Sequence, residues 1–582
     1  MERKGQSLLY KKITWQTYLS AAVIFVTGIL LIVRACYGMD TTDETFYLAT
    51  ARRFSDGDLL FKHDWNTAQV MGLVLLPLYR FYVFWNGSSE GIILFSRILF
   101  VLLEVFTASF LFRILKRVTG NCGTALLCAL CALLYVRGNI INLSYYSLGM
   151  HTFLLAVLWW IQFETGSRRR GFLVLSGISF SISVLCMPYM AVCFFLIAAA
   201  GIFRRNKEVF WFSCGVFAAA AGFLCIFGRW IPWEGLWEYI PLMFQDPEMD
   251  QDGVFKRLWE LFLYYINVFL RFTWPLYIFT VTASFIAGRG ILKTKQRKER
   301  TYLAWLLLAE FFIQSVYVRT FFESGIIITF LLLAVQLQLL YPECREEELE
   351  TYFLVPGIAF GLVWVIGSNV GHRVANMSFL MLDIWGIHFV RRLFQKQRTA
   401  MRICGHMPAY LLLAVLGIIR FFDVYRDGVV SELSSRVSSG VMAGIYTEAQ
   451  RADTYERIVE VLRTETADTD TLAVLGCNPW VYMDSPGRCG SYITWTIHSE
   501  KTVLNKYYER FPEKVPNVIL LLPPELGAYT SWRFSSHGAG RHVEEQPELE
   551  GILKQIAEEE GYVRTEKNGV VIYRQKEINQ YD

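Results

Sequence analysis

Long apolar runs separated by short polar stretches fill the first three quarters of the chain. A helix needs about 20 apolar residues to cross the hydrocarbon core of a bilayer, and roughly thirteen runs approach that length. They lie near 17–37, 91–113, 121–137, 146–163, 171–187, 188–203, 209–228, 259–287, 301–318, 324–341, 351–367, 377–392 and 403–421. Composition agrees, because only 19% of the residues are charged, against roughly 25% in soluble domains. The pattern predicts a polytopic α-helical membrane protein.

Basic residues predict the orientation of these helices. The N-terminus carries Arg3, Lys4, Lys11 and Lys12, which favours a cytoplasmic start. Alternating crossings then place the other basic clusters on the same side, namely 113–117, 168–170, 204–207, 293–300 and 391–402. One loop on that side, 342–350, is acidic instead. An odd number of spans places the C-terminus outside the cytoplasm. We expect an integral protein of the plasma membrane.

The stretch from Thr67 to Trp85 is apolar but contains Pro77 and Arg80. If it crossed the membrane, every later basic loop would change sides. We therefore expect 67–85 to be an interfacial helix lying on the outer leaflet. It would close a first outer loop at 38–90.

Residues 422–582 have the composition of a soluble domain. Helical patterns near 446–463 and 547–560 alternate with β-rich runs at 471–477, 518–522 and 569–573. These predict a small extracytoplasmic α/β domain, with residues 1–421 forming the membrane domain. An outer location would permit a disulfide between Cys477 and Cys489. The chain has no nucleotide-binding glycine loop, and no nucleic-acid partner is expected.

The candidate chemistry lies in the first outer loop. Asp43 and Glu44 stand side by side a few residues after the first apolar run, and Lys62, His63 and Asp64 precede the interfacial helix. Ionisable groups beside a bilayer tend to mark function, and neighbouring carboxylates raise the pKa of at least one member of the pair. The competing interpretation is an ordinary solvated loop.

The order of these features carries a resemblance. Asp43-Glu44 is followed by Thr45-Phe46-Tyr47-Leu48-Ala49, then Gly57, then the interfacial helix with Pro77 and the Gly-Ser-Ser-Glu joint at 87–90. This resembles the GT-C glycosyltransferases, in particular the protein O-mannosyltransferases and the aminoarabinose transferases. The Lys-Pro-Pro or His-Pro-Pro run usual before the interfacial helix is missing, since this chain has His63-Asp64-Trp65-Asn66-Thr67 there.

The resemblance implies transfer of a sugar from a polyprenyl-phosphate donor, with inversion, to a hydroxyl of a glycan, lipid or protein. Asp43 is then the catalytic base and Glu44 its support. Substrate-binding candidates are Lys62, His63, Asp64, Gln69, Arg137, His372 and Arg373. The family requires no metal, but a divalent cation would bind if Asp43, Glu44 and Asp64 converged. Loop 137–146 carries no acid, so no second catalytic carboxylate is expected from it.

Two other functions remain open at this point. A transporter or flippase of lipid-linked sugars would need charged or broken helices near the midplane and internal repeats. A non-catalytic membrane protein whose outer domain binds a partner would leave the loop chemistry unexplained.

Overall fold

The computed structural model describes residues 14–136, 139–203, 205–245, 253–266, 274–289, 296–317, 323–368, 378–395, 397–475, 478–495, 501–523, 526, 547–559 and 561–576. Helices dominate the part up to residue 422. They are α1 Trp15–Ala35, α2 Asp43–Ser55, α3 Gln69–Asn86, α4 Ile92–Thr119, α5 Cys122–Leu134, α6 Tyr145–Thr165, α7 Gly171–Cys186, α8 Ala191–Phe203, α9 Lys207–Phe227, α10 Leu236–Tyr239, α11 Val254–Tyr265, α12 Trp274–Gly288, α13 Gln296–Tyr317, α14 Glu323–Leu340, α15 Glu347–Leu349, α16 Val355–Gly367, α17 Leu380–Gln395 and α18 Thr399–Phe422.

Membrane-spanning helices are present, as the apolar runs predicted. Five are long and apolar enough to cross a bilayer: Trp15–Ala35, Ile92–Thr119, Lys207–Trp230, Glu347–Gly367 and Thr399–Phe422. Five shorter apolar helices lie among them: Cys122–Leu134, Gly171–Cys186, Pro188–Phe203, Pro275–Gly288 and Gly325–Leu340. Large apolar side chains such as Phe25, Phe203 and Phe217 are exposed on the outside of the bundle, where lipid would cover them. The polytopic helical fold is therefore confirmed.

Breaks between helices fall within two long apolar stretches, 171–203 and 259–287. The runs 171–187 and 188–203 form separate helices because Pro188 opens a 3₁₀ turn, Pro188–Met190, between α7 and α8; proline lacks the N–H that would continue α7. The run 259–287 was predicted as one helix. The structure instead places α11 at Val254–Tyr265 and α12 at Trp274–Gly288, with residues 267–273 outside the described residues.

The first outer loop is more helical than expected. The sequence predicts one helix in this loop, at 67–85, and the structure has α3 there at Gln69–Asn86; its position at the membrane interface stays a prediction. Residues Asp43–Ser55 form α2, which packs tightly on α3. A Cβ at Gly72 would lie 2.5 Å from the Thr50 Cγ2 atom, so only glycine permits this approach. Phe84 and Trp85 at the end of α3 are largely exposed, as suits a helix at a membrane interface.

The C-terminal part contains a mixed sheet. Its elements are β1 Ser435–Arg436, β2 Tyr446–Thr447, α19 Ala449–Glu465, β3 Thr471–Leu475, α20 Val481–Asp484, β4 Arg488–Cys489, α21 Lys501–Arg510, β5 Val518–Leu521, α22 Pro547–Glu559, β6 Val563–Lys567 and β7 Val570–Arg574. The five-stranded sheet has the order β4-β3-β5-β7-β6, with β3 parallel to both neighbours and β7 antiparallel to both of its own. Asn568 and Gly569 both have positive φ, the conformation that a two-residue hairpin turn requires.

The chain leaving α1 joins the two parts. The Gly38 N–H donates to the Tyr446 carbonyl at 2.8 Å, and the Tyr446 N–H donates to the Cys36 carbonyl at 2.7 Å. Arg34 binds the carbonyls of Phe421 and Asp423 at the end of α18. These bonds fix the beginning of α2 beside the segment that follows α18.

Candidate functional site

A cavity of about 470 Å³ lies where the N-terminus of α2 meets the ends of several membrane helices. Its lining includes Asp43, Phe46 and Tyr47 of α2, residues 66–68, Tyr145 and Tyr146 of α6, Pro188 and Tyr189, Met243 and Phe244, Gly367 and Ser368, Tyr425 and Arg426, and Trp495. The walls are aromatic, with one carboxylate and one guanidinium among the described lining residues. This volume falls within the range of ordinary small-molecule sites, roughly 300–1,000 Å³.

Asp43 supplies the carboxylate. It opens α2, whose N-terminus is anchored because the Asp40 carboxylate accepts the Glu44 N–H at 2.9 Å. The Asp43 Oδ2 atom accepts a hydrogen bond from the Tyr425 hydroxyl and lies 3.4 Å from the Arg426 Nη2 atom. Its side chain is 18% exposed, so it remains accessible from the cavity. A carboxylate held this way can accept a proton from a bound hydroxyl group.

Arg426 supplies the cation, and it is not among the site residues that the sequence predicts. It lies four residues after the end of α18 in a left-handed backbone conformation, with φ of 53°. Its guanidinium donates to the Thr42 hydroxyl and lies 5.0 Å from the centre of the Tyr425 ring. The guanidinium also lies 6.0 Å from the centre of the Trp495 ring. The only sequence signal was a Tyr-Arg pair just beyond the last apolar run.

Glu44 points away from this cavity. Its side chain is 2% exposed and forms an ion pair with Arg97 of α4, whose Nε donates to Oε2 at 3.0 Å. The other carboxylate oxygen accepts the Ile141 N–H at 3.1 Å. Burial raises the pKa of Glu44 to about 7, although Arg97 acts in the opposite direction. These contacts join α2, α4 and the loop before α6, and the predicted role of Glu44 in catalysis stays a prediction.

Lys62 and His63 lie against Phe511 of the C-terminal part, whereas Asp64 binds Arg53 within the loop. Arg53 binds Asp58 at 2.8 Å and Asp64 at 3.3 Å, and Lys514 binds Asp58 at 2.5 Å. The Lys62 ammonium lies 5.8 Å from the centre of the Phe511 ring. None of these side chains is among the described residues that line the cavity.

The pKa values in this cluster follow from burial and charge. Burial alone would raise the pKa of Asp58, but Arg53 and Lys514 together hold it at about 2. Burial raises the pKa of Asp64 to about 6 against the effect of Arg53. The cluster therefore docks the loop onto the sheet domain, and the next segment, Asn66 to Ala68, reaches the cavity.

His63 is held neutral in the folded protein. Its Nδ1 atom accepts the Leu59 N–H at 3.0 Å. Burial lowers the pKa of His63 to about 4, although Asp58 acts in the opposite direction. The pKa of His63 is lower in the folded state than in the unfolded state, so the unfolded state binds a proton first as the pH falls. The neutral imidazole therefore contributes to stability above about pH 6.5, and that contribution is lost as the pH falls through 4. A neutral imidazole cannot supply a cation to a phosphate group.

We expect His63→Gln to reduce the acid sensitivity of folding. Relative to the variant, the wild type should lose roughly 2–3 kcal/mol of stability between pH 6.5 and 4. Thermal unfolding of both proteins across this pH range measures the difference. Asp58, Lys514, Arg53 and Lys62, the charged groups that act on His63, are present in both proteins, so their own contributions largely cancel. Parallel stability curves would show that His63 is not held neutral.

The remaining predicted site residues divide into two groups. Gln69 is buried at the start of α3, where its Oε1 accepts the Phe61 N–H at 2.6 Å; it does not line the described cavity. Arg137, His372 and Arg373 lie outside the described residues, as does Cys477, the predicted partner of Cys489. Their predicted roles stay predictions.

A divalent-cation site would require Asp43, Glu44 and Asp64 to converge. Each of the three instead contacts a different arginine: Arg426, Arg97 and Arg53 respectively. Within the described ranges, no three histidine, cysteine, aspartate or glutamate side chains are grouped to hold a metal ion.

The helices and the cavity define an integral membrane protein with a polar site at one end of its helical bundle. No protein-family model matches the chain, and no curated protein matches it significantly. The crystal structure of ArnT from Cupriavidus metallidurans bound to undecaprenyl phosphate is similar, with 14% identity and a TM-score of 0.42 over 96% of this chain and 98% of that chain. The same protein in the apo state gives 14% identity and a TM-score of 0.39 over 96% and 97%.

A likeness with this identity and TM-score supports no inference about function. The function proposed below therefore rests on the residues of this chain.

Proposed function

We propose that the cavity beside Asp43 transfers a sugar from a polyprenyl-phosphate carrier to an acceptor hydroxyl, with inversion at the anomeric carbon. The observation that carries this proposal is the pairing of the Asp43 carboxylate with the Arg426 guanidinium, 3.4 Å apart, in a cavity walled by aromatic rings. The reaction needs both groups, a base for the acceptor and a cation for the departing phosphate.

Asp43 and Arg426 together account for the proton and the negative charge that move during the transfer. The acceptor oxygen attacks the anomeric carbon, and its proton passes to the Asp43 carboxylate. The bond between the anomeric carbon and the phosphate oxygen breaks, and its electron pair leaves with the polyprenyl phosphate. Arg426 stabilises the charge that grows on that phosphate, since a planar guanidinium can donate two parallel hydrogen bonds to it. The proton on Asp43 then returns to solvent.

The aromatic walls suit the remainder of such a donor. Tyr145 stacks against Trp364 with ring centres 5.8 Å apart, and Phe46 meets Trp495 edge to face at 5.5 Å. Flat rings provide apolar surface for a sugar ring and for the first prenyl units.

Membrane orientation is part of the same proposal. With the basic N-terminus in the cytoplasm, the cavity and the C-terminal sheet domain both lie on the outer side of the plasma membrane. α3 then lies along the outer leaflet, from which a lipid carrier would enter.

An activity assay in detergent solution distinguishes a transferase from a transporter or flippase. Micelles have no leaflets, so a transporter produces no new molecule there, whereas a transferase releases free polyprenyl phosphate. The purified protein is given undecaprenyl phosphates carrying a hexose, a pentose or an amino sugar, together with envelope glycans, lipids and proteins as acceptors. Mass spectrometry should detect undecaprenyl phosphate with at least one donor. A protein that binds these donors but releases none of the phosphate would support transport instead.

A further inference from the structure

A second and larger cavity, of about 740 Å³, lies at the other end of the same helices. α6 connects the two sites: Tyr145 at its beginning lines the first cavity, and Glu164 near its end lines the second. Nineteen residues of helix rise about 28 Å, close to the thickness of a hydrocarbon core. The second cavity therefore opens near the opposite membrane surface from Asp43.

The deep part of this cavity is apolar. Phe153, Val157 and Phe180 line it from α6 and α7, and Ile197 and Phe212 line it from α8 and α9. The hydroxyl of Ser176, which also faces it, is already satisfied because it donates to the Ala156 carbonyl at 2.7 Å. A space of this kind between membrane helices suits hydrocarbon chains.

The mouth of the cavity is acidic. Glu164, Glu208, Glu347 and Glu348 are part of its lining, and no lysine or arginine is among the lining residues within the described ranges. Glu347 and Glu348 belong to the acidic loop that departs from the basic character of the other loops on its side. Three of these glutamates, at positions 164, 208 and 348, act electrostatically on the same hydroxyl, that of Tyr352.

The mouth also combines carboxylate with aromatic rings. The Trp160 indole N–H donates to Glu164 Oε1 at 2.9 Å, and the Tyr352 hydroxyl donates to Glu164 Oε2. Indole and phenol faces attract ammonium groups, most strongly where solvent is partly excluded. The described glutamates are not grouped to hold a metal ion. An organic cation therefore fits this mouth better than a metal does.

We propose that this cavity binds a membrane lipid with an ammonium headgroup. The acyl chains occupy the apolar depth, and the ammonium lies among Glu164, Glu208, Glu347 and Glu348. The site gives a role to Glu347 and Glu348 of the acidic loop 342–350, and it stands independently of the sugar transfer proposed at Asp43.

Native mass spectrometry of the full-length protein tests this proposal. The delipidated protein is titrated with phosphatidylethanolamine and with phosphatidylglycerol of identical chains. We expect preferential retention of phosphatidylethanolamine, and the triple variant E208Q/E347Q/E348Q should reduce that preference about tenfold, as several weak ion pairs are lost together. The matched control is Glu343→Gln, since Glu343 lies in the same loop but pairs with Arg300 and does not line the cavity.

Two further measurements complete the test. Ala200→Trp, which narrows the exposed edge of the cavity, should reduce retention of both lipids. Glycerophosphoethanolamine, which has the headgroup without chains, should compete only weakly. Equal retention of the two lipids by the wild type, an unchanged preference in the triple variant, or full competition by the free headgroup would each overturn the proposal.

Discussion

Replacing Asp43 by Asn should reduce the rate of sugar transfer by about 10²–10⁴-fold, the usual contribution of a general base. Asparagine has nearly the same shape and can still accept the hydrogen bond from Tyr425, but it cannot take a proton from the acceptor hydroxyl. The variant should therefore fold and bind donor while failing in the chemical step. The release of polyprenyl phosphate under saturating donor measures this step directly.

The matched control for this prediction is Asp56→Asn. Asp56 lies at the other end of α2, pairs with Arg52 at 2.7 Å and does not line the cavity, so this variant should keep the wild-type rate. Arg426→Gln should additionally weaken retention of the donor, because it removes the phosphate partner. Wild-type turnover by the Asp43 variant would show that another group accepts the proton.

Local patterns predicted the membrane part of this fold well. A membrane helix satisfies its own backbone hydrogen bonds, so a run of apolar residues is enough to reveal it. Helix α2 was missed because its sequence, DETFYLATARRFS, contains no long apolar run, although its residues from Glu44 to Ala51 are all buried. They are buried by packing against distant segments, and a single sequence does not show those contacts.

The site was only partly predictable for the same reason. Asp43 was identified by its position after the first span, but its partners Tyr425 and Arg426 come more than 380 residues later. Asp43 and Glu44 are adjacent in sequence, yet successive helical residues point about 100° apart. One therefore reaches the cavity and the other reaches Arg97. Likewise, Asp58 contacts Lys514 across 456 positions, which turns the Lys62–Asp64 segment toward the sheet domain.

Removing the carboxylate of Glu44 should destabilise the fold strongly. Arg97 is 3% exposed and donates to Glu44 and to the carbonyls of Ala35 and Gly38 at 2.8 and 2.6 Å. Above pH 7, where Glu44 is ionised, Glu44→Gln leaves this guanidinium buried without a counter-charge, which costs about 3–5 kcal/mol. Denaturant or thermal unfolding of the purified protein measures the lost stability. We expect the substitution to weaken the contacts of α2 with α4 and with the loop at Ile141.

A surface ion pair of the same molecule provides the control. Glu90 binds Arg463 at 3.1 Å, but the two side chains are 38% and 45% exposed, so Glu90→Gln should change stability by less than about 1 kcal/mol. The comparison also separates two roles for Glu44. If Glu44→Gln keeps the stability of the wild type but loses sugar transfer, Glu44 acts in the chemistry beside Asp43. If it loses stability first, and transfer falls only in proportion to the unfolded fraction, its function is to hold α2 in place so that Asp43 faces the cavity.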